Sequence, residues 1–164
     1  MINYSTFACY AEACYSIRMS SLKERQLKLV HEFAGFSSWE DRYKKIIAMG
    51  KVMPDLEETK KTEEAKVKGC QSQVWLHASL SPEGKVFFEG DSDAMIVKGL
   101  VAMLVQIYSD TTPEEILATP PDFIKDMGFE GNLSPSRTNG FFSMLKQIRN
   151  YATAMVILKQ MKKT

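Results

Sequence analysis

Apolar residues recur at helical spacing in the first part of the chain. The inner face of the first predicted helix carries Leu22, Leu29 and Phe33. This helix is expected to begin at Ser21, where Glu24 three positions later completes a capping box, and to stop at Gly35. A second amphipathic helix is predicted to end at Gly50, and the segment 51–61 is predicted as a loop.

Apolar and polar residues alternate in the middle of the chain, as is typical of half-buried strands. The alternation predicts three short strands, over residues 65–68, 74–80 and 85–89. Turn residues separate them at 69–72 and at 81–84. We therefore expect an antiparallel meander of three strands.

The rest of the chain is predicted to be helical. The polar residues 91–93 are expected to cap one helix, and the pattern at 112–115 combines an N-cap, a proline and a glutamate that start another. A short helix over 121–127 and a long one that begins at Ser134 complete the pattern. Helices, then strands, then helices predict an α+β fold, with a small three-stranded antiparallel sheet covered by helices on one face.

Composition narrows the classes of function. The 164 residues fit one domain, and 45% hydrophobic with 25% charged residues excludes a disordered chain. A net charge of +1 argues against general nucleic-acid binding, which depends on neutralising phosphates. No apolar stretch approaches the ~20 residues that cross a membrane. Three cysteines form no disulfide framework, so a reducing cytoplasm is the expected location.

Residues 1–20 differ from the rest of the chain, because they are rich in Tyr, Ala and Cys and carry only two charges. We expect them to be an N-terminal extension that is disordered or dispensable, with a single domain over 21–164. Cys9 and Cys14 are then incidental thiols. The cysteines and histidines match no zinc-site spacing, so no metal is expected.

The sharpest local feature is Cys70, at the predicted turn between the first two strands. A buried cysteine more often packs within an element. Gly69 allows a positive φ that presents the next side chain outward, and Lys66 and Lys68 are cations that favour the thiolate. From the residues alone, a reactive thiol and an incidental turn thiol both stay open.

A second candidate lies at the start of the last helix. Arg137 in the first turn opposes the helix dipole at a cost of roughly 0.3–1 kcal/mol, which suggests a partner elsewhere, either an anion or a thiolate. The alternative is a surface arginine paired with an acid. Gly140 costs about 1 kcal/mol relative to alanine within a helix, which close packing against the sheet or turn would explain.

Four segments together resemble the SufE-type family, the sulphur acceptors that partner cysteine desulfurases in iron–sulphur cluster assembly. The resemblance covers roughly residues 21–158. The segments that carry it are VKGCQSQVWL at 67–76, FFEGDSDAMIVKGLVAMLVQIYSD at 87–110, TPEEIL at 112–117 and LSPSRTNGFFSML at 133–145.

This resemblance implies that Cys70 accepts sulphur as a persulfide from a cysteine desulfurase, stimulates that enzyme, and delivers the sulphur to an iron–sulphur scaffold. It implies a fold similar to that of the scaffold proteins and no cofactor, since pyridoxal phosphate belongs to the desulfurase. The residues expected to support the loop or the partner surface are Gly69, Gln71, Ser72, Arg137, Asn139 and Gly140.

Two other functions stay open at this point. One is a non-catalytic module that docks to a desulfurase or a scaffold. The other is a cysteine hydrolase with His77 as its base, although nothing in the spacing places that residue or His31 beside Cys70. We expect the protein to act with a partner enzyme rather than alone, as a monomer or a homodimer.

Overall fold

A computed structural model describes residues 21–129 and 131–161. The predicted extension over 1–20, with Cys9 and Cys14, lies outside the described residues. In chain order the elements are α1 (Leu22–Ala34), α2 (Trp39–Val52), a 3-10 turn (Glu58–Lys60), β1 (Val74–Leu80), β2 (Val86–Ser92), α3 (Met95–Tyr108), α4 (Pro113–Ala118), α5 (Phe123–Asp126) and α6 (Pro135–Met161). The predicted α+β class is confirmed.

The predicted helix caps at two starts are present. The Ser21 hydroxyl accepts from the Glu24 backbone N–H at 3.3 Å, and the Glu24 carboxylate accepts from the Ser21 N–H at 2.7 Å. The Thr112 hydroxyl accepts from the Glu115 N–H at 3.2 Å. These local bonds satisfy N–H groups that the first turn of a helix leaves unpaired, so the sequence predicts them well.

The predicted third strand is wrong. Within the described residues the sheet has two antiparallel strands, with Val74 opposite Ser92 and Leu80 opposite Val86. The segment 65–68 contributes an isolated bridge through two hydrogen bonds of 2.8 Å, which join it to the backbone of β1. It contacts β1 but does not extend the sheet.

Side chains of α6 explain why the segment stops pairing. The Leu76 N–H donates to the Ala65 carbonyl, but the Leu76 carbonyl accepts from the Tyr151 hydroxyl at 2.9 Å. Gln147 donates to the carbonyls of both Ala65 and Leu76, at 3.0 and 3.4 Å. Because α6 uses these acceptors, the free edge of β1 is covered by a helix instead of a third strand.

The prediction that residues 91–93 cap α3 is also wrong. β2 runs through Ser92, and Ala94 stands at the N-cap. Asp91 is buried and makes ion pairs with Lys98 and Lys61, both at 3.1 Å. Burial alone would raise the pKa of the Asp91 carboxyl, but hydrogen bonds from the two lysines and the backbone bring it below its ordinary value.

Helices α2 and α3 approach each other through glycines. The prediction that Gly50 ends α2 is wrong: the helix continues to Val52, and Gly50 instead faces Gly99 of α3. A Cβ on Gly99 would lie 2.1 Å from the Ile46 carbonyl oxygen. The two backbones therefore meet at a distance that only glycine permits.

One face of the sheet is buried beneath the helices. Its inward side chains include Val74, Leu76, Val86 and Phe88, and all four are at most 3% exposed. They join a core to which α3 contributes most of its length. No helix among residues 21–129 and 131–161 is both long and apolar enough to cross a lipid bilayer.

Candidate functional site

Cys70 lies in a short loop, residues 68–72, whose two ends are held in place. The Val67 N–H donates to the Val74 carbonyl at 2.8 Å and closes the base. On the other side, the Gln73 N–H donates to the Asp93 carboxylate at 3.0 Å, and the Asp93 N–H returns to the Gln73 carbonyl at 3.2 Å. The loop is therefore fixed at both ends, while Cys70 lies near its middle.

Gly69 adopts the left-handed conformation expected of it, with φ +85°. A Cβ there would lie 3.2 Å from the Ser143 hydroxyl of α6, so the loop packs closely on that helix. The Cys70 side chain, however, points inward and is half-buried. The expectation that Gly69 turns this side chain outward is wrong for this conformation.

The thiol of Cys70 contacts the backbone of α6. Its Sγ lies 3.7 Å from the Gly140 carbonyl oxygen, to which the S–H donates. Burial raises the pKa of the Cys70 thiol above its ordinary value. In this conformation the group is a protonated thiol at neutral pH, which is the less reactive form.

The nearby lysines do not activate this thiol. Lys68 pairs with Glu63 at 3.2 Å, and Lys66 lies 3.9 Å from the same carboxylate. Their charges are compensated locally, and the shift in the pKa of Cys70 comes from burial. The expectation that these cations stabilise the thiolate is therefore wrong for the structure described.

A cavity of about 200 Å³ lies beside the cysteine, between the loop and the first turns of α3 and α6. Apolar side chains of α3, including Val97 and Leu100, form one wall. The lining also includes polar side chains of α6, among them Ser136 and Arg137. The cavity next to Cys70 thus has both apolar residues and a cation in its lining.

Most of the residues singled out in the sequence meet here. The cavity is lined by Cys70, Gln71, Ser72, Arg137 and Gly140, among others. Gly69 belongs to the loop and packs against α6, and Asn139 is exposed on the same helix without lining the cavity.

Arg137 is exposed at the cavity and forms no ion pair with the described residues. The alternative interpretation, a surface arginine paired with an acid, therefore finds no support within residues 21–129 and 131–161. A guanidinium without an acidic partner among these residues, in the same cavity as a thiol, is available to an incoming anion or thiolate.

Neither histidine belongs to this site. His77 lies on the outer face of the sheet, with its Nδ1 3.5 Å from a Glu89 carboxylate oxygen, and His31 is exposed on α1. The cavity is lined by neither, so a hydrolase with a histidine base beside Cys70 has no support here. Among the described residues, no three His, Cys, Asp or Glu side chains are grouped to hold a metal ion.

Two supporting residues escaped the sequence analysis. Asp93 was interpreted as a helix cap, but its carboxylate anchors the cysteine loop. Ser143 lies under Gly69 one turn along α6 from Asn139. No local pattern could identify either, because each partner is distant in sequence.

Comparison with known proteins confirms the family resemblance. A family model described as SufE, an Fe-S metabolism associated domain, matches residues 27–152. An uncharacterised SufE-like protein of Rhizobium etli is 46% identical over 129 residues, and the match covers 76% of this chain and 87% of that protein. Another, from a Synechocystis species, is 40% identical over 135 residues, or 82% of this chain and 84% of the relative.

A solved structure supports the fold. The solution structure of a hypothetical protein from Thermus thermophilus superposes with a TM-score of 0.68 at 21% identity, and the match covers 81% of this chain and 96% of that one. This likeness concerns the fold alone, and the expected similarity to iron–sulphur scaffold proteins stays a prediction. With the family model and both relatives spanning about three-quarters of the chain or more, the protein belongs to the SufE family of Fe-S metabolism associated domains.

Proposed function

We propose that the protein is a sulphur acceptor that takes sulphur as a persulfide on Cys70 from a cysteine desulfurase. It stimulates that enzyme and passes the sulphur to an iron–sulphur cluster scaffold. The observation that carries the proposal is the position of Cys70, on a short anchored loop beside a cavity that Arg137 also lines, an arginine with no ion pair to any residue that the structure describes. Membership of a family associated with Fe-S metabolism supports the same function.

The reaction needs no cofactor on this chain. The Cys70 thiolate attacks the outer sulphur of the donor persulfide, a new S–S bond forms, and the old one breaks as the donor cysteine leaves as a thiolate. The proton lost from Cys70 balances the proton that the donor thiolate can take up. Pyridoxal phosphate serves the desulfurase, and the reducing cytoplasm keeps the Cys70 thiol free.

The resting site and the reaction make different demands. Transfer requires a thiolate, with the two sulphur atoms about 3–3.5 Å apart. In the structure the thiol is half-buried and its pKa is raised. Cys70 must therefore leave its contact with α6 when the donor arrives, and Arg137 is the cation placed to meet the charge that develops.

The decisive experiment is mass spectrometry of alkylated peptides after incubation with a cysteine desulfurase and cysteine. We expect a gain of about 32 Da, one sulphur atom, on the Cys70 peptide. Cys70→Ser should lose both this adduct and the stimulation of the desulfurase, with its free energy of unfolding within about 1 kcal/mol of the parent.

The matched control is the double variant Cys9→Ser/Cys14→Ser, which keeps Cys70 and should be loaded fully. An adduct on Cys9 or Cys14 in the parent chain would overturn the assignment to Cys70. If Cys70→Ser stimulates the desulfurase as well as the parent does, the protein is instead a docking module.

A further inference from the structure

Gly140 occupies a position where a glycine is unfavourable for the helix. It is buried in α6, and a helix interior favours alanine over glycine. Glycines elsewhere in the helices are explained by backbone contacts, as where Gly99 meets Ile46. Gly140 has no such contact, so its lack of a side chain needs a different cause.

The surroundings of Gly140 identify that cause. A Cβ placed there would lie 3.2 Å from the Cys70 Sγ and 3.9 Å from the Cys70 Cβ. Apart from chain neighbours and the backbone of its own helix, no other described residue lies within 4 Å of that point. Among the residues that the structure describes, a methyl group at position 140 would therefore contact only Cys70 outside its own helix.

We propose that Gly140 is a positioning residue: its missing side chain and its carbonyl oxygen form a seat for the resting thiol of Cys70, and this seat sets the reactivity of that thiol. The carbonyl accepts the S–H at 3.7 Å, which favours the neutral thiol over the thiolate. The raised pKa of Cys70 agrees with a seated, partly desolvated thiol. The role of the seat in sulphur transfer rests on the proposed function, whereas the seat itself does not.

The seat keeps the Cys70 thiol unreactive while no partner is bound. A seated thiol is slow to react with oxidants and alkylating agents, because the thiolate is the reactive species. When the loop lifts, the S–H loses the carbonyl, gains solvent and becomes easier to deprotonate. The glycine thus gives the thiol an unreactive resting position, which the thiol leaves when the loop lifts.

The test is the pH dependence of Cys70 alkylation by iodoacetamide, followed on the Cys70 peptide of the full chain. In Gly140→Ala the new methyl displaces Sγ. We expect the rate at pH 7 to rise about threefold or more and the midpoint pH to fall, by about half a pKa unit. Gly35→Ala, at the far end of α1, is the matched control and should leave both values unchanged.

If Gly140→Ala folds poorly, a double-mutant cycle with Cys70→Ala tests the same contact through the stability of the fold. In a Cys70→Ala background the methyl at position 140 meets only a Cβ at 3.9 Å, an ordinary contact. Gly140→Ala should therefore raise the melting temperature more in that background than in the parent. An equal loss of stability in both backgrounds, or an unchanged alkylation profile in a folded variant, would overturn the proposal.

Both measurements use the isolated protein and need no desulfurase. Failure of the persulfide experiment would leave the alkylation result standing, and failure of the alkylation experiment would leave the persulfide result standing. The two proposals can therefore be rejected separately.

Discussion

Two glycines show how differently the two sides of this molecule are packed. A Cβ on Gly99 of α3 would lie 2.1 Å from the Ile46 carbonyl oxygen, which belongs to the backbone of α2. A Cβ on Gly140 of α6 would lie 3.2 Å from the Cys70 Sγ, the end of a side chain on a short loop. The close approach at Gly99 joins the backbones of α2 and α3. At Gly140 the neighbour is the end of the Cys70 side chain, which can move without a shift of either backbone.

Helix α3 takes part in both regions. Its Gly99 faces α2, whereas its Val97 and Leu100 line the cavity beside Cys70. One face of the helix is therefore held by backbone packing, and another face borders open volume. The transfer proposed for Cys70 requires the loop to move but leaves this helix where it is. Functional segments commonly belong to the less tightly held parts of a fold.

The substitution with the largest expected effect on stability is Gly99→Ala. The added methyl cannot fit without separating α2 from α3, so we expect a loss of about 3 kcal/mol or more in the free energy of unfolding. Urea denaturation measures it, with Gly140→Ala as the comparison, since that methyl meets only Cys70. Equal losses in the two variants would show that the two contacts are packed alike.

The fixed side can be tested through Asp91, which ties the first turn of α3 to β2 through Lys98. Asp91→Asn should lose about 2 kcal/mol near pH 6, because it weakens charge-assisted hydrogen bonds in a buried place. The pKa of Asp91 is lowered in the folded protein, so its contribution is complete above the unfolded value of about 3.9 and is lost as the pH falls below that value.

Urea denaturation of both proteins at several pH values measures this contribution. The difference between parent and Asp91→Asn should be largest near pH 6 and should narrow below about pH 4. A difference that stays constant down to about pH 3 would contradict the role given to the Asp91 charge.

The smallest expected effect concerns Arg137, which lines the cavity beside the cysteine loop. Arg137→Ala should slow transfer of sulphur to Cys70 roughly tenfold, which corresponds to about 1.4 kcal/mol, because it removes a guanidinium that lines the cavity. Its free energy of unfolding should stay within about 0.5 kcal/mol of the parent. The measurement is the initial rate of persulfide formation, with urea denaturation alongside.

Lys68→Gln is the matched control for charge, since Lys68 is exposed and pairs with Glu63. It should change the rate less than about twofold. A loss of stability in Arg137→Ala that accounts for its loss of rate would assign Arg137 a structural role instead.

The sequence predicted those features that depend on neighbours along the chain. The capping box at Ser21 and the cap at Thr112 join residues three positions apart, and both are present. The third strand failed because Tyr151 and Gln147, far along the chain, occupy the carbonyl of Leu76. Alternation of side chains reports burial on one face, but it does not report which group takes the backbone bonds.

The candidate site shows the same division. Cys70 and Arg137 stood out as a cysteine at a turn and a cation at the wrong end of a helix, and both line one cavity. The direction of the thiol could not be predicted, because it depends on Gly140, seventy positions away. The role of Asp93 was missed for the same reason, since its partner Gln73 lies twenty positions earlier, before β1.

The cysteine loop is held by hydrogen bonds at both ends, which limits how far the Cys70 sulphur atom can move. The chain makes six steps of at most about 3.6 Å from Val67 to Gln73. If these two residues stay fixed, the middle of the loop can rise by only about 10 Å. A loop this short cannot carry a sulphur atom between two distant sites. If Cys70 carries sulphur as proposed, the donor and the acceptor must dock in turn, each with its reactive atom within about 10 Å of this surface.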